Sequence, residues 1–139
     1  LFDLKLSTSI LKSYALMLGS DCPFFIENTP QYVTGIGEKM DKVNLDLKSY
    51  EFKFFFPDVF VSTKEAYSSI KPKESLINLL DVILRPVSDW KGLLKNDFEI
   101  PVFNKYPNLQ NIKNNFYQNG AIYSSMTGSG SVIYAIYER

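Results

Sequence analysis

The sequence predicts an α+β chain in which an antiparallel sheet is covered by helices. Three observations lead there. Glu51 to Phe56 is a strong strand pattern, with Phe52, Phe54 and Phe56 falling on one face. Several other segments carry apolar residues three and four apart, bounded by capping residues, proline and glycine, which is helix patterning. Finally, the chain closes on two β-like runs, Ala121 to Ser125 and Val132 to Tyr137, joined by a loop short enough to pair them antiparallel. Strands interleaved with helices and closed by such a pair form an α+β sandwich.

In chain order, Ser7 or Thr8 caps a first helix whose Ile10, Leu11, Tyr14, Ala15 and Leu18 share one side. Gly19 stops it, with left-handed backbone as the usual means. Pro23 then drives Cys22 towards extended geometry. Phe24 to Ile26 and Gln31 to Thr34 read as two short strands around the turn Glu27-Asn28-Thr29-Pro30. Gly35-Ile36-Gly37-Glu38 follows as another turn. From Asn44 to Tyr50 the sequence is polar without proline or glycine, and a domain boundary is set here, dividing 1–46 from 47–139. Beyond the Glu51 strand, Pro57-Asp58 interrupts and Val59 to Val61 resumes an apolar run. Ser62 and Glu65 have capping-box spacing, which starts a helix at Thr63. Leu76, Leu79, Leu80, Ile83 and Leu84 mark a helix from Glu74 to Leu84, ended before Pro86, and a short helix is expected around Asp89 to Leu94. Asn96-Asp97-Phe98-Glu99 leads into Pro101. Pro107 opens a further helix through Leu109, Ile112, Lys113 and Phe116, stopped by Gly120.

Composition narrows the function. At 139 residues there is room for one domain, or one domain and part of another. Fifteen basic residues balance fifteen acidic ones, so no footprint for nucleic acid or an anionic membrane surface is present. The single cysteine, Cys22, excludes an internal disulfide and fits a reducing cytoplasm. With no histidine and one cysteine, no transition-metal site is expected. No apolar run reaches the roughly 20 residues of a membrane span, and no signal peptide is visible. The first residue is Leu1 rather than methionine, and Leu-Phe-Asp-Leu reads as the inside of a folded unit, so the chain is expected to be a piece of a longer protein.

Two stretches can carry chemistry. Asp21 stands on a stiff turn between Gly19 and Pro23, and a carboxylate held on a defined corner is what a general base requires. The alternative is that Asp21 only caps the turn. Thr127-Gly128-Ser129-Gly130-Ser131 interrupts the last two strands, and its glycines allow a tight backbone whose N–H groups could face one anion. Alone, it could equally be a plain hairpin turn.

Read together, Leu18-Gly19-Ser20-Asp21-Cys22-Pro23-Phe24-Phe25 and, downstream, Met126-Thr127-Gly128-Ser129-Gly130-Ser131 resemble the second and third motifs of the GHMP small-molecule kinases. The resemblance implies a ferredoxin-like C-terminal domain preceded by the tail of an N-terminal domain. It implies ATP as phosphoryl donor, Mg2+ beside it, Asp21 as the catalytic acid-motif residue, and 127–131 as a loop that closes on substrate and phosphates. The family's lysine-bearing strand and glycine-rich ATP loop lie upstream of the acid motif; neither precedes Asp21 here, so the piece alone is expected to be inactive. Gly35-Ile36-Gly37-Glu38 is similar to the family's Gly-x-Gly-Glu turn. Val61-Ser62-Thr63-Lys64-Glu65-Ala66-Tyr67 looks like the segment that, in the branch acting on a cytidyl alcohol, offers a hydroxyl and an aromatic ring to cytidine. Thr63 and Tyr67 match those roles, though both could instead serve as cap and packing. The implied partners are a small cytidyl substrate and ATP. A sister kinase for homoserine or a mevalonate derivative, and a non-catalytic ferredoxin-like binding module, are the alternatives.

Overall fold

In the computed structural model, residues 5–73 and 77–139 are described. The chain folds as two compact units, Leu1–Leu45 and Asp46–Arg139.

In the first unit, α1 (Thr8–Leu18) begins where the Ser7 hydroxyl accepts the Ile10 N–H, as the capping pattern predicts. Of its apolar side only Ala15 is buried. Gly19 ends the helix in extended backbone, φ 168°, and not in the left-handed conformation expected. Nor is the next stretch extended. Cys22 N–H bonds the Gly19 carbonyl, Phe24 N–H that of Asp21 and Phe25 N–H that of Cys22. These i→i+3 turns run straight into α2 (Phe24–Glu27), a helical turn where a strand was expected. Pro23 explains the difference, since its ring fixes φ at −59° and its missing N–H costs nothing at a helix start. The strand β1 (Gln31–Thr34) does form, and its partner is β2 (Lys39–Lys42), antiparallel across the Gly35–Glu38 turn. Glu27 joins the elements of this unit. Its carboxylate meets Lys12 of α1 at 3.1 Å and Lys42 of β2 at 3.7 Å, and accepts from the Gln31 side chain at 3.2 Å.

The second unit is built on a three-stranded antiparallel sheet. β3 (Tyr50–Phe55) and β4 (Tyr123–Met126) flank the central β5 (Ile133–Glu138). Side chains alternate across a pleated sheet, so Met126, Ile133 and Phe55 share one face. Met126 and Ile133 pack on Val102 and Phe103 of α5 (Glu99–Lys105) and on Leu109 of α6 (Pro107–Gln118). Leu109 is 1% exposed, and truncating it to alanine would cost about 2–5 kcal/mol. On the opposite face, Trp90 meets Tyr123 edge-on at 5.6 Å. Further along that face Phe52, Phe54 and Phe56 form a ring ladder at 6.3 and 6.5 Å, as the alternation predicts, and Phe54 and Phe56 are exposed.

The helix α3 (Thr63–Ser68) starts where the capping box predicts, with the Ser62 hydroxyl accepting the Glu65 N–H. Glu65 reaches not back to Ser62 but across to Lys105. Leu79–Ile83 is α4, capped by Asn78; positions 74–76 of the longer helix expected here lie outside the described residues. In place of a helix at 89–94, Val87–Trp90 forms a 3₁₀ turn. The run Val59 to Val61 is loop. Helix α5 was not foreseen, and Pro101 falls inside it. It occupies the third helical position, where an N–H would have no partner in the helix.

Candidate functional site

In the first unit the acid stands on the turn between α1 and α2. The Asp21 residue is exposed, and its Oδ1 accepts from the Ser20 hydroxyl at 3.3 Å. Helix α2 has no side-chain cap, and its Phe24 N–H goes to the Asp21 carbonyl, not to the carboxylate. The β1–β2 turn lies directly against this corner. A Cβ built on Gly37 would come 3.1 Å from Ser20 Cβ and 3.2 Å from Asp21 Oδ1. The turn is itself braced by Glu38, whose carboxylate accepts the Ile36 N–H at 2.7 Å. Backbone N–H bonds, from Glu38 and then Ile36, hold the Glu38 carboxyl below its usual range. Gly-x-Gly-Glu is thus a packed support for the acid's turn, a role not assigned from sequence.

The second unit brings the other predicted residues together. Thr63 Oγ1, at the start of α3, lies 3.2 Å from Ser129 Oγ in the β4–β5 loop, so two segments 66 residues apart share one hydroxyl pair. Tyr67, one turn on, is 63% exposed and stands edge-on to Phe98 at 4.9 Å. The loop is closed by Thr127 N–H to the Val132 carbonyl at 2.8 Å and Gly130 N–H to the Thr127 carbonyl at 2.9 Å. Those two amides are therefore used within the loop, and the expectation that its N–H groups as a set face an anion is revised to that extent. Ser131 donates to the Val59 carbonyl and so ties the loop to the segment leading into α3. A side chain at Gly130 would be strained, since its φ is +100° and a Cβ would meet Met126 Sδ at 2.8 Å.

Beside the loop and Tyr67 lies a cavity of about 510 Å³ whose walls include Asn96, Phe98, Tyr123, Ser125 and Gly128. That volume falls within the range of small-molecule sites. Burial pushes the phenols of Tyr123 and Tyr134, which also line it, above their usual value, so both stay protonated at neutral pH. Tyr123 donates to the Leu94 carbonyl at 3.1 Å. The cavity can therefore present the neutral hydroxyls of Tyr123 and Tyr134 and aromatic faces.

Two residues under the loop were missed by sequence reasoning. Asn96 Nδ2 donates to the carbonyls of Met126 and Gly128, both at 2.8 Å. Glu99 Oε1 accepts from Met126 N–H at 2.8 Å and from the Ser125 hydroxyl at 3.0 Å, while its Oε2 pairs with Lys113 at 2.5 Å. The only local signal was the Asn-x-x-Glu spacing ahead of an apolar run.

Residues 79–139, which include α5, α6, β4, β5 and the loop between the last two strands, match the family model described as GHMP kinases C terminal. Over these residues the chain is similar to the C-terminal domain of the GHMP kinases. Its curated relatives are more particular. It is 46% identical over 136 residues to a 4-diphosphocytidyl-2-C-methyl-D-erythritol kinase of Bacteroides fragilis, covering 98% of this chain and 50% of the relative. To the protein of the same name from Bacteroides thetaiotaomicron it is 44% identical, over 99% of this chain and 50% of the relative. A crystal structure titled 4-(cytidine 5'-diphospho)-2C-methyl-D-erythritol kinase superposes with a TM-score of 0.78 at 23% identity, over 97% of this chain and 49% of that one, which shows a shared fold. The chain spans about half the length of the curated relatives it matches. Among the described residues no helix is long and apolar enough to cross a membrane.

Proposed function

We propose that this chain supplies the acceptor-side and loop parts of a kinase. The reaction moves the γ-phosphate of ATP to the tertiary 2-hydroxyl of 4-diphosphocytidyl-2-C-methyl-D-erythritol, within non-mevalonate isoprenoid biosynthesis in the cytoplasm. The observation that carries this reading is the shared name of relatives at 44 to 46% identity along nearly the whole chain. Residues 1–46 are read as the tail of an N-terminal domain and 47–139 as the C-terminal domain.

Phosphoryl transfer asks a protein for positioning and charge stabilisation. In this reading the exposed Asp21 carboxylate, fixed by the turn on which Gly37 packs, accepts a hydrogen bond from the acceptor hydroxyl within about 3 Å. As the new O–P bond forms and the bond to the ADP oxygen breaks, that proton passes to Asp21. Tyr67, exposed and braced by Phe98, offers a ring face to the cytosine, and Thr63 offers its hydroxyl to the cytidyl part. Ser129 shares that hydroxyl pair, and the backbone of Thr127, Gly128, Gly130 and Ser131 gives the compact loop that approaches the phosphates. Mg2+ accompanies ATP in the family reading. Among the described residues no three His, Cys, Asp or Glu side chains gather to hold a metal, and no step is routed through one.

The test is ADP release by the full-length product of the gene, offered 4-diphosphocytidyl-2-C-methyl-D-erythritol, homoserine or a mevalonate phosphate in parallel. Turnover with the cytidyl alcohol is expected. Preference for either other acceptor would move the protein to a sister kinase, and no turnover with any would leave a ligand-binding module.

A further inference from the structure

Asn96, Asp97, Phe98 and Glu99 precede or open α5 and belong to neither motif that carries the kinase reading. All four nevertheless adjoin the loop, Tyr67 or the cavity beside them. An asparagine amide has two N–H donors and one oxygen acceptor. Asn96 uses both kinds. Its nitrogen holds the carbonyls of Met126 and Gly128, and its oxygen accepts the Phe98 N–H at 3.0 Å. Turning the amide over would set oxygen against two carbonyls, so only this orientation is consistent with its neighbours. Met126 and Gly128 flank Thr127, whose own N–H is bonded to Val132, so the first residue of the loop is held from three directions. Glu99 grips the strand end just before it, through Met126 N–H and the Ser125 hydroxyl. Phe98, between the two grips, meets the Tyr67 ring.

We propose that Asn96–Glu99 is a positioning clamp for the site, in which Asn96 sets the Thr127–Ser131 backbone and Phe98 sets Tyr67. One rigid tetrapeptide thereby fixes the loop and the Tyr67 helix relative to each other. The part played in turnover rests on the kinase reading above; the clamp itself rests on the geometry. Asn96 is a positioning residue, acting through the loop.

The experiment uses the full-length gene product with Asn96→Asp. This variant keeps the acceptor for Phe98 N–H, and hence the start of α5, but turns an anion on the two loop carbonyls. The readouts are kcat, the KM for each substrate, and hydrogen–deuterium exchange. Exchange of the 127–132 peptide is expected to speed by about tenfold or more while α6 stays protected. The kcat is expected to fall by about 10- to 100-fold, the scale of a misplaced catalytic segment. Asn96→Ser retains one shorter donor and is the milder variant, expected between wild type and Asn96→Asp in both readouts. Unchanged exchange at 127–132 would overturn the clamp. Faster exchange with kcat within twofold of wild type would show that turnover does not use the loop's order. If the wild-type protein phosphorylates none of the acceptors, the kinase reading fails, and the exchange data alone decide the clamp.

Discussion

Replacing Gly37 by alanine asks whether the β1–β2 turn supports Asp21. Gly37 has φ +112°, where an L-residue is sparsely tolerated, so a side chain there costs about 1–3 kcal/mol in backbone strain. The added methyl would also press on Ser20 Cβ at 3.1 Å and Asp21 Oδ1 at 3.2 Å. Forced contacts of this kind add about 1–3 kcal/mol, and an exposed turn that can yield belongs at the low end of that range. Together the two terms place the variant about 2–4 kcal/mol below wild type. The yielding matters for function. The turn relieves the contact by moving the Asp21 carboxylate by tenths of an ångström, and since about 1 Å of misplacement costs about 100-fold, a loss of about tenfold in kcat is expected.

Gly120 provides the control. Its φ is +88° and a Cβ there would meet nothing within 4 Å, so Gly120→Ala carries strain alone, about 1–2 kcal/mol, and leaves kcat unchanged. Urea unfolding and steady-state turnover of the full-length gene product measure both variants. The reasoning is refuted if Gly37→Ala loses no more stability than Gly120→Ala while its kcat stays within twofold of wild type.

Asp21→Asn is expected to lower turnover by about 10²–10⁴ without altering thermal unfolding, because the shape remains and the base goes. Near-wild-type turnover would return Asp21 to the status of a turn residue. Tyr67→Ala should raise the KM for the cytidyl substrate far more than that for ATP, by the equivalent of about 1–3 kcal/mol, and Tyr67→Phe should cost little. Equal effects on both substrates with a clear loss of stability would assign Tyr67 to packing. For Glu27, the hydrogen bond to Lys12 holds its carboxyl below the ordinary 4.5, so the stability it gives is present above that value and lost as pH falls through the lower folded value. Acid unfolding followed from about pH 6 to about pH 3 should therefore be less steep in Lys12→Met, and identical slopes would remove the pair as a cause.

What the sequence made legible about the fold was set within a few residues of the chain. Helix α6 shows it: Pro107 at the first position, the Leu109–Ile112–Phe116 spacing and Gly120 at the end are all local signals. The capping serines of α1 and α3 are equally local. The misreadings have their own physical causes. Phe24-Phe25-Ile26 is too short for its apolar character to tell a strand from a helical turn, and the fixed φ of Pro23 decided the matter. Strand β2 is Lys-Met-Asp-Lys, a composition that suggests no strand, and it exists because the preceding turn folds it onto β1.

The site divides along the same line. Asp21 and the loop glycines were legible as turn residues, although the turn around Asp21 is built from consecutive hydrogen-bonded turns and not from the left-handed Gly19 and extended Cys22 that the sequence suggested. The pairing of Thr63 with Ser129 spans 66 residues, and the grip of Asn96 on the loop spans 30 to Met126 and 32 to Gly128. Distance in sequence is only part of the difficulty. The acceptors that Asn96 holds are backbone carbonyls, and every residue has one, so no side-chain pattern at 126 or 128 announces the partner. Glu99 is the same case with the sign reversed, since it takes a backbone N–H at Met126. Residues that do chemistry must be of a particular type at a particular place, and sequence records type and place. Residues that hold a backbone in position are recorded at one end of the contact only, and the other end becomes visible when the chain is folded.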